Sequence, residues 1–170
     1  YVNAGTVEFL RSGDGDFHFL EVNTRLQVEH PVTELCWGLD LVRWQLKVAQ
    51  GERLNFAKGD LKSQGHAVEA RVCAEDPEAD FLPTPGRIDR LEHPSGPGIR
   101  VDSGLVEGHA VGARYDSLLA KVVAWGETRT QAIERLDRAL SEFLIVGCRT
   151  NIGLLRDILA SSAFRRGELS

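Results

Sequence analysis

The sequence has no methionine and only three cysteines, Cys36, Cys73 and Cys148, none of them in C-x-x-C spacing. Scattered thiols in odd number argue against a disulfide framework or a zinc site. They fit a reducing compartment, with each cysteine serving as a small buried apolar residue. No apolar run approaches the roughly 18 residues of a membrane-spanning helix, and the opening residues do not read as a signal-like leader. A net charge of −5 gives no basic footprint for nucleic acid. The phosphate loop G-x-x-x-x-G-K-[ST], the dinucleotide fingerprint G-x-G-x-x-G and the nucleophile elbow G-x-S-x-G are all missing. His18, His30, His66, His93 and His109 form no H-E-x-x-H pair and read as ordinary surface or half-buried histidines. There is no internal repeat and no low-complexity tract. The chain opens on Tyr1, directly in strand-forming residues, so we expect a segment of a longer protein.

The 170 residues suffice for one domain or parts of two. Thr6–Leu10 and Phe17–Val22 are rich in β-formers, and Asp14-Gly15 between them is a two-residue hairpin signal. With that turn, Gly13 faces Asp16 and Glu8 falls opposite Glu21. Pro31 suits a helix start. Asp40 is placed to cap a helix to about Gln50 with Leu39, Val42, Leu46 and Ala49 as its apolar stripe, and Gly51 as its stop. The polar stretch 51–64 is the best linker candidate. His66–Glu75 alternates cleanly. His66, Val68, Ala70, Val72 and Ala74 take one face, and Ala67, Glu69, Arg71, Cys73 and Glu75 the other. Short strands are expected at Arg87–Leu91, Ile99–Asp102 and Ala120–Trp125. Thr128 with Gln131 is a capping box before a helix bearing Ile133, Leu136, Leu140 and Phe143. Thr150 or Asn151 caps a further helix with Leu154, Leu155, Ile158 and Leu159 on its apolar side.

Chemistry concentrates in Glu21 to Glu29, which holds two carboxylates, a guanidinium and two amides where a plain connection would use Gly, Ser and Pro. Facing glutamates repel unless a cation lies between them, so Glu8 and Glu21 are either solvated on an exposed face or a pair for a divalent metal. Asn23 can ligate or orient. Arg25 offers a fork suited to carboxylate, carbonate or phosphate oxygens, and Glu29 could act as a base. Arg71, between Glu69 and Cys73 on its face, reads by itself as a solvated cross-strand ion pair. Together these residues point to phosphoryl transfer onto a small oxyanion.

Glu21-Val22-Asn23-Thr24-Arg25-Leu26-Gln27-Val28-Glu29-His30-Pro31-Val32-Thr33-Glu34 resembles the signature of the biotin carboxylase family, within the ATP-grasp enzymes. Gly5–Leu10, Gly65–Arg71, Ala74–Pro77, Phe81-Leu82-Pro83, Tyr115-Asp116-Ser117 and Thr150-Asn151 extend the resemblance, in order, across essentially the whole chain. It implies an α+β chain. Residues 1–58 would be the C-terminal portion of an ATP-grasp domain, and 62–170 the biotin carboxylase C-terminal domain, an antiparallel sheet with packed helices. It implies metal binding by Glu8 and Glu21, with Asn23 as a further ligand or orienting group. It implies a bicarbonate pocket from Arg25, Gln27 and the backbone of Val28, Glu29 as the base that deprotonates bicarbonate, and Arg71 as the arginine that steadies the biotin enolate. In the family ATP phosphorylates bicarbonate to carboxyphosphate, whose CO₂ is captured by the ureido nitrogen of biotin.

The implied cofactors are ATP, Mg²⁺ or Mn²⁺, and biotin on a carrier. The implied partners are a biotin carboxyl carrier domain or protein, a carboxyltransferase and a second copy of the enzyme, with Arg100 resembling a dimer-interface arginine; no nucleic acid or membrane partner is expected. The implied location is cytoplasmic for a bacterial member and mitochondrial for a eukaryotic one. His30–Glu34 resembles acyl-CoA carboxylases of the acetyl-, propionyl- or methylcrotonyl-CoA type more than pyruvate carboxylases. Leu41–Leu46 and Phe164–Leu169 look closest to the methylcrotonyl-CoA type. Another ATP-grasp ligase, or an interaction module whose carboxylates are mere surface charge, are the alternatives. The glycine-rich lid and ATP-binding lysines of the family have no counterpart in these residues. The expected outcome is therefore that residues 1–170 alone do not carboxylate biotin; bicarbonate-dependent ATP hydrolysis by this segment, measured as phosphate release, would overturn it.

Overall fold

A computed structural model describes residues 1–168, the Lys58 side chain apart. The chain divides into two compact units, Tyr1–Gln64 and Gly65–Ser170. Leu169 and Ser170, the last positions of the segment 62–170, lie outside the described residues.

The first unit opens with an antiparallel hairpin, β1 (Thr6–Arg11) and β2 (Phe17–Asn23). Its tip departs from the two-residue turn. Gly15 N–H donates to Ser12 O (3.0 Å), Ser12 N–H to Asp16 O (2.9 Å), and Gly15 has φ +98°. This is a three-residue loop closed by a left-handed glycine. It shifts the upper register by one residue, so Arg11 faces Phe17 and Phe9 faces Phe19. An irregularity after Glu8 leaves Leu20 without an opposite residue and restores the offset, so Glu8 faces Glu21, Val7 faces Val22 and Thr6 faces Asn23. The pairing reached from Asp14-Gly15 is present, but by a different path.

Helix α1 (His30–Trp37) has Pro31 in its first turn, where a missing N–H costs nothing, and stops at Gly38 in the left-handed region. In helix α2 (Leu41–Ala49), Asp40 Oδ1 accepts from Arg43 N–H at 2.7 Å. Of its apolar stripe, Val42 and Leu46 are exposed, while half-buried Trp44 packs against Phe56, ring centroids 5.2 Å apart and near perpendicular. Within this unit Pro31 and Glu34 are the buried residues among those described.

The second unit carries the core. Strands β3 (His66–Cys73), β4 (Glu75–Asp76), β5 (Leu82–Pro83), β6 (Gly86–Arg87), β7 (Arg90–Glu92), β8 (Ile99–Ser103), β9 (Ala110–Val111) and β10 (Leu118–Gly126) precede helix α3 (Arg129–Glu142). Strand β11 (Leu144–Val146) and helices α4 (Ile152–Ala160) and α5 (Ser162–Arg166) follow. The central sheet is antiparallel, order β3-β10-β8. Val68, Ala70 and Val72 share a face with Ala120, Val122 and Ala124, covered by Ala132, Ile133, Leu136, Ala139 and Leu140 of α3. Small side chains on the strands let the helix approach closely while its leucines fill the gap. Thr128 Oγ1 accepts from Gln131 N–H (3.2 Å) and Gln131 Oε1 from Glu127 N–H (2.7 Å), so the reciprocal half of the capping box falls one residue early.

The expected strand Arg87–Leu91 is split into β6 and β7. Its residues change partners: Ile88 N–H donates to His109 O and Asp89 N–H to Val146 O. Ile88, fully buried between, anchors a second cluster with Ala74, Leu105 and Leu119. Gly147 makes the crossing possible, since at φ +117° an added Cβ would lie 1.7 Å from Arg87 O. Gly147→Ala should therefore destabilise the chain by about 2 kcal/mol or more. Gly153→Ala, in α4 with open space around it, should stabilise it by about 0.5 kcal/mol. Urea denaturation of the two variants checks both signs.

Candidate active site

The root of the hairpin brings four of the candidate residues into one hydrogen-bonded group. Asn23 Nδ2 donates to Glu8 Oε1 at 2.7 Å and to Glu21 Oε1 at 3.0 Å, and Gln27 Nε2 donates to Glu8 Oε1 at 2.7 Å. A single amide between two opposed carboxylates supplies the donors that offset their repulsion. It also holds each on one oxygen. Among the described residues no hydrogen bond reaches Oε2 of either glutamate. Two anionic oxygens on one face suit a hard divalent cation that keeps waters and phosphate oxygens for its remaining positions. With its nitrogen turned to both carboxylates, Asn23 stands as their orienting group. Among the described residues no cluster of three or more His, Cys, Asp or Glu side chains exists that could hold a metal by itself.

The loop after β2 carries the rest. Arg25 is exposed, with Nη1 donating to Leu26 O at 3.2 Å. Val28 is half-buried, and Glu29 is exposed at the N-cap of α1, where its carbonyl accepts from Val32 N–H at 3.1 Å. His30, not singled out by the sequence, fixes the loop to the helix. Its Nδ1 is 2.8 Å from Gln27 O, and its Nε2 is 3.9 Å from Glu34 Oε2. Buried Glu34 in turn accepts from Leu41 N–H at 2.6 Å and so joins α1 to the start of α2.

Arg71 lies in the second unit, exposed on the outer face of β3 and opposite Lys121. Lys121 faces Asp102 across β10–β8, with Nζ 3.2 Å from Oδ2. Asp102 is gripped bidentately by Arg100, Nε to Oδ1 at 2.7 Å and Nη2 to Oδ2 at 2.9 Å. That guanidinium holds the Asp102 carboxyl below the usual carboxylate range, with Lys121 adding to the effect and partial burial opposing it. The expected interface arginine is thus preset by its own strand.

Asn151 takes the expected N-cap position of α4, its carbonyl accepting from Leu155 N–H at 3.0 Å, but its side chain makes no cap bond. It is buried and turned to β3: Oδ1 accepts from Cys73 N–H (2.9 Å), and Nδ2 donates to Arg71 O (3.1 Å) and Glu75 Oε1 (3.3 Å). The sequence carries no signal for this, because an Asn before a helix reads equally well as a local cap.

The Biotin carboxylase C-terminal domain family model matches residues 69–170, more than half of the chain. The chain belongs to the biotin carboxylase family. The Carbamoyl-phosphate synthase L chain, ATP binding domain model matches residues 1–57. The chain is 46% identical over 170 residues to a biotin carboxylase of Nostoc sp., covering 100% of this chain and 38% of that protein. It is 52% identical over 169 residues to a protein of Methanothermobacter thermautotrophicus named as one component of a pyruvate carboxylase, covering 99% of this chain and 34% of that protein. The biotin carboxylase domain of Hydrogenobacter thermophilus 2-oxoglutarate carboxylase, a dimer in complex with MgADP, ADP and bicarbonate, superposes with TM-score 0.98 at 42% identity, over 100% of this chain and 38% of that one. The chain thus spans little more than a third of the length of each of these three relatives.

The shared amide generates a stability test. Asn23→Ala should cost the hairpin about 1 kcal/mol by leaving like charges opposed. Adding Glu21→Gln should recover most of that loss, because the repulsion goes with the charge. Urea unfolding of the single and double variants measures the coupling.

Proposed function

We propose that this chain supplies the metal and bicarbonate residues, and the biotin-facing arginine, of an ATP-dependent biotin carboxylase. The observation that carries this is the Glu8–Asn23–Glu21 group with Gln27, hydrogen-bonded into one cluster directly before Arg25 and Glu29. Residues 1–58 are read as the C-terminal portion of an ATP-grasp domain and 62–170 as the biotin carboxylase C-terminal domain. Family models over 1–57 and 69–170 support this, as does the division between Gln64 and Gly65.

Glu8 and Glu21 would hold Mg²⁺ or Mn²⁺, with Asn23 fixing their carboxylates. When bound, the cation supplies charge neutralisation for the nucleotide phosphates. The planar fork of Arg25, the Gln27 amide and the Val28 backbone bind and orient bicarbonate. Glu29 takes the bicarbonate proton, so that the bicarbonate oxygen attacks the terminal phosphorus of ATP and ADP leaves. Carboxyphosphate would then break down to CO₂ and phosphate, and that phosphate would take the ureido N–H proton as the nitrogen bonds CO₂. Arg71 pairs with the enolate oxygen that develops on biotin as that nitrogen loses its proton. Biotin arrives on a carrier domain or protein and leaves for a carboxyltransferase. A second copy docks through the face holding Arg100, a reading supported by the dimer named for the Hydrogenobacter thermophilus domain.

No helix among the described residues is long and apolar enough to cross a membrane. We place the enzyme in the cytoplasm of a bacterium or the mitochondrion of a eukaryote. The acceptor of the carboxyl group is read as an acyl-CoA, from His30-Pro31-Val32-Thr33-Glu34. A 2-oxo acid acceptor is the second reading, favoured by relatives named for pyruvate and 2-oxoglutarate. Either acceptor is served by the same carboxylation of biotin.

In the intact carboxylase, Glu29→Gln should lower bicarbonate-dependent turnover by roughly 10²- to 10⁴-fold, the range for loss of a positioned base. Glu21→Gln should raise the Mn²⁺ concentration needed for half-maximal activity and weaken nucleotide binding. Unchanged kinetics and metal titration in both variants would leave the interaction module standing instead.

A further inference from the structure

Arg71 sits on an outer strand with its side chain exposed. The aim of a long guanidinium arm then depends on how firmly its backbone is held. The ladder loosens at that point. β10 pairs regularly as far as Ala120 opposite Val72, then shifts register before Leu118 meets Cys73. The residue skipped, Leu119, goes into the second core cluster with Ile88 and Leu105. Strand pairing therefore weakens within two residues of Arg71.

Asn151 occupies the place a further strand would take. Its backbone N–H donates to Cys73 O at 3.2 Å. Its side chain accepts from Cys73 N–H and donates to Arg71 O, reproducing the donor and acceptor pattern of a ladder. The same amide reaches Glu75 Oε1, and Ser117 Oγ donates to Glu75 Oε2 at 3.3 Å. Ala74 N–H donates to Ser117 O at 2.8 Å. One buried amide thus fixes the Arg71 backbone and is linked through Glu75 to Ser117. Asn151 is nine-tenths buried, so its hydrogen bonds are not shared with water.

We infer that Asn151 is the positioning residue for Arg71, holding its backbone in one geometry toward a planar urea whose oxygen gains negative charge. This rests on the reading of Arg71 given above. The hydrogen bonds of Asn151 go to Arg71, Cys73, Glu75 and Leu155, all within the second unit, so its removal should act on the biotin half-reaction alone.

The test uses the intact carboxylase with free biotin as acceptor, comparing Asn151→Ala, Asn151→Asp and Arg71→Gln. Asn151→Asp keeps the side-chain shape and the acceptor for Cys73 N–H but loses both donors, so it decides the matter if Asn151→Ala does not fold. A misplacement of about 1 Å costs up to roughly 100-fold in rate. Both Asn151 variants should therefore lose roughly 10- to 100-fold in kcat for biotin carboxylation, with little change in KM for bicarbonate. Bicarbonate-dependent ATP hydrolysis without biotin should be unchanged. Equal loss of both activities, or loss of neither, while Arg71→Gln abolishes biotin turnover would overturn the inference. Full biotin turnover in Arg71→Gln would instead overturn the reading of Arg71, and the inference with it.

Discussion

The antiparallel pairing of β3 with β10 is the constraint on which the second unit depends. It puts Val68, Ala70 and Val72 beside Ala120, Val122 and Ala124, a patch of small residues that accepts α3. The same register leaves Arg71 and Lys121 on the opposite face, next to Asp102 and Arg100. A slip of one residue would exchange the faces, burying charge and exposing the core. Packing and the display of Arg71 are therefore one decision, made by the alternation of a single strand.

In the first unit the organising force is electrostatic. Opposed glutamates are held together by amides whose own position in the chain, two and six residues after Glu21, places them at the hairpin root. Among the described residues the two carboxylates are bridged by amides and not by cations. Glu34 and His30 then lock the following loop to α1. The arrangement fits sites in which positioning and charge do most of the catalytic work.

Much of this was legible in the residues. Period-two alternation from Val68 to Ala74 and helical spacing in Ile133, Leu136, Leu140 and Phe143 reported burial correctly, because in both elements a single face meets the core; His66, at the strand's start, is exposed. The Glu8–Glu21 pairing was also legible, though two one-residue departures cancelled along the way. The α2 stripe marked no buried face: Val42 and Leu46 are exposed, no residue of α2 is buried, and Trp44 meets Phe56 instead. Arg87–Leu91 could not be read as two pieces, since its change of partner is imposed by His109 and Val146, far away in sequence. Asn151 was invisible for the same reason: its three side-chain bonds reach back to strands 76 to 80 residues earlier.

The unpaired Leu20 has one further meaning. A three-residue tip and a one-residue bulge together return the root of the hairpin to the alignment a two-residue turn would give unaided. The tip and the root are thereby modular. Changes in loop length at Ser12–Asp16 can be absorbed at Leu20 before they reach Glu8 and Glu21. The hairpin end becomes a place where sequence can drift, or a tag can be inserted, while the chemistry at its base stays in register.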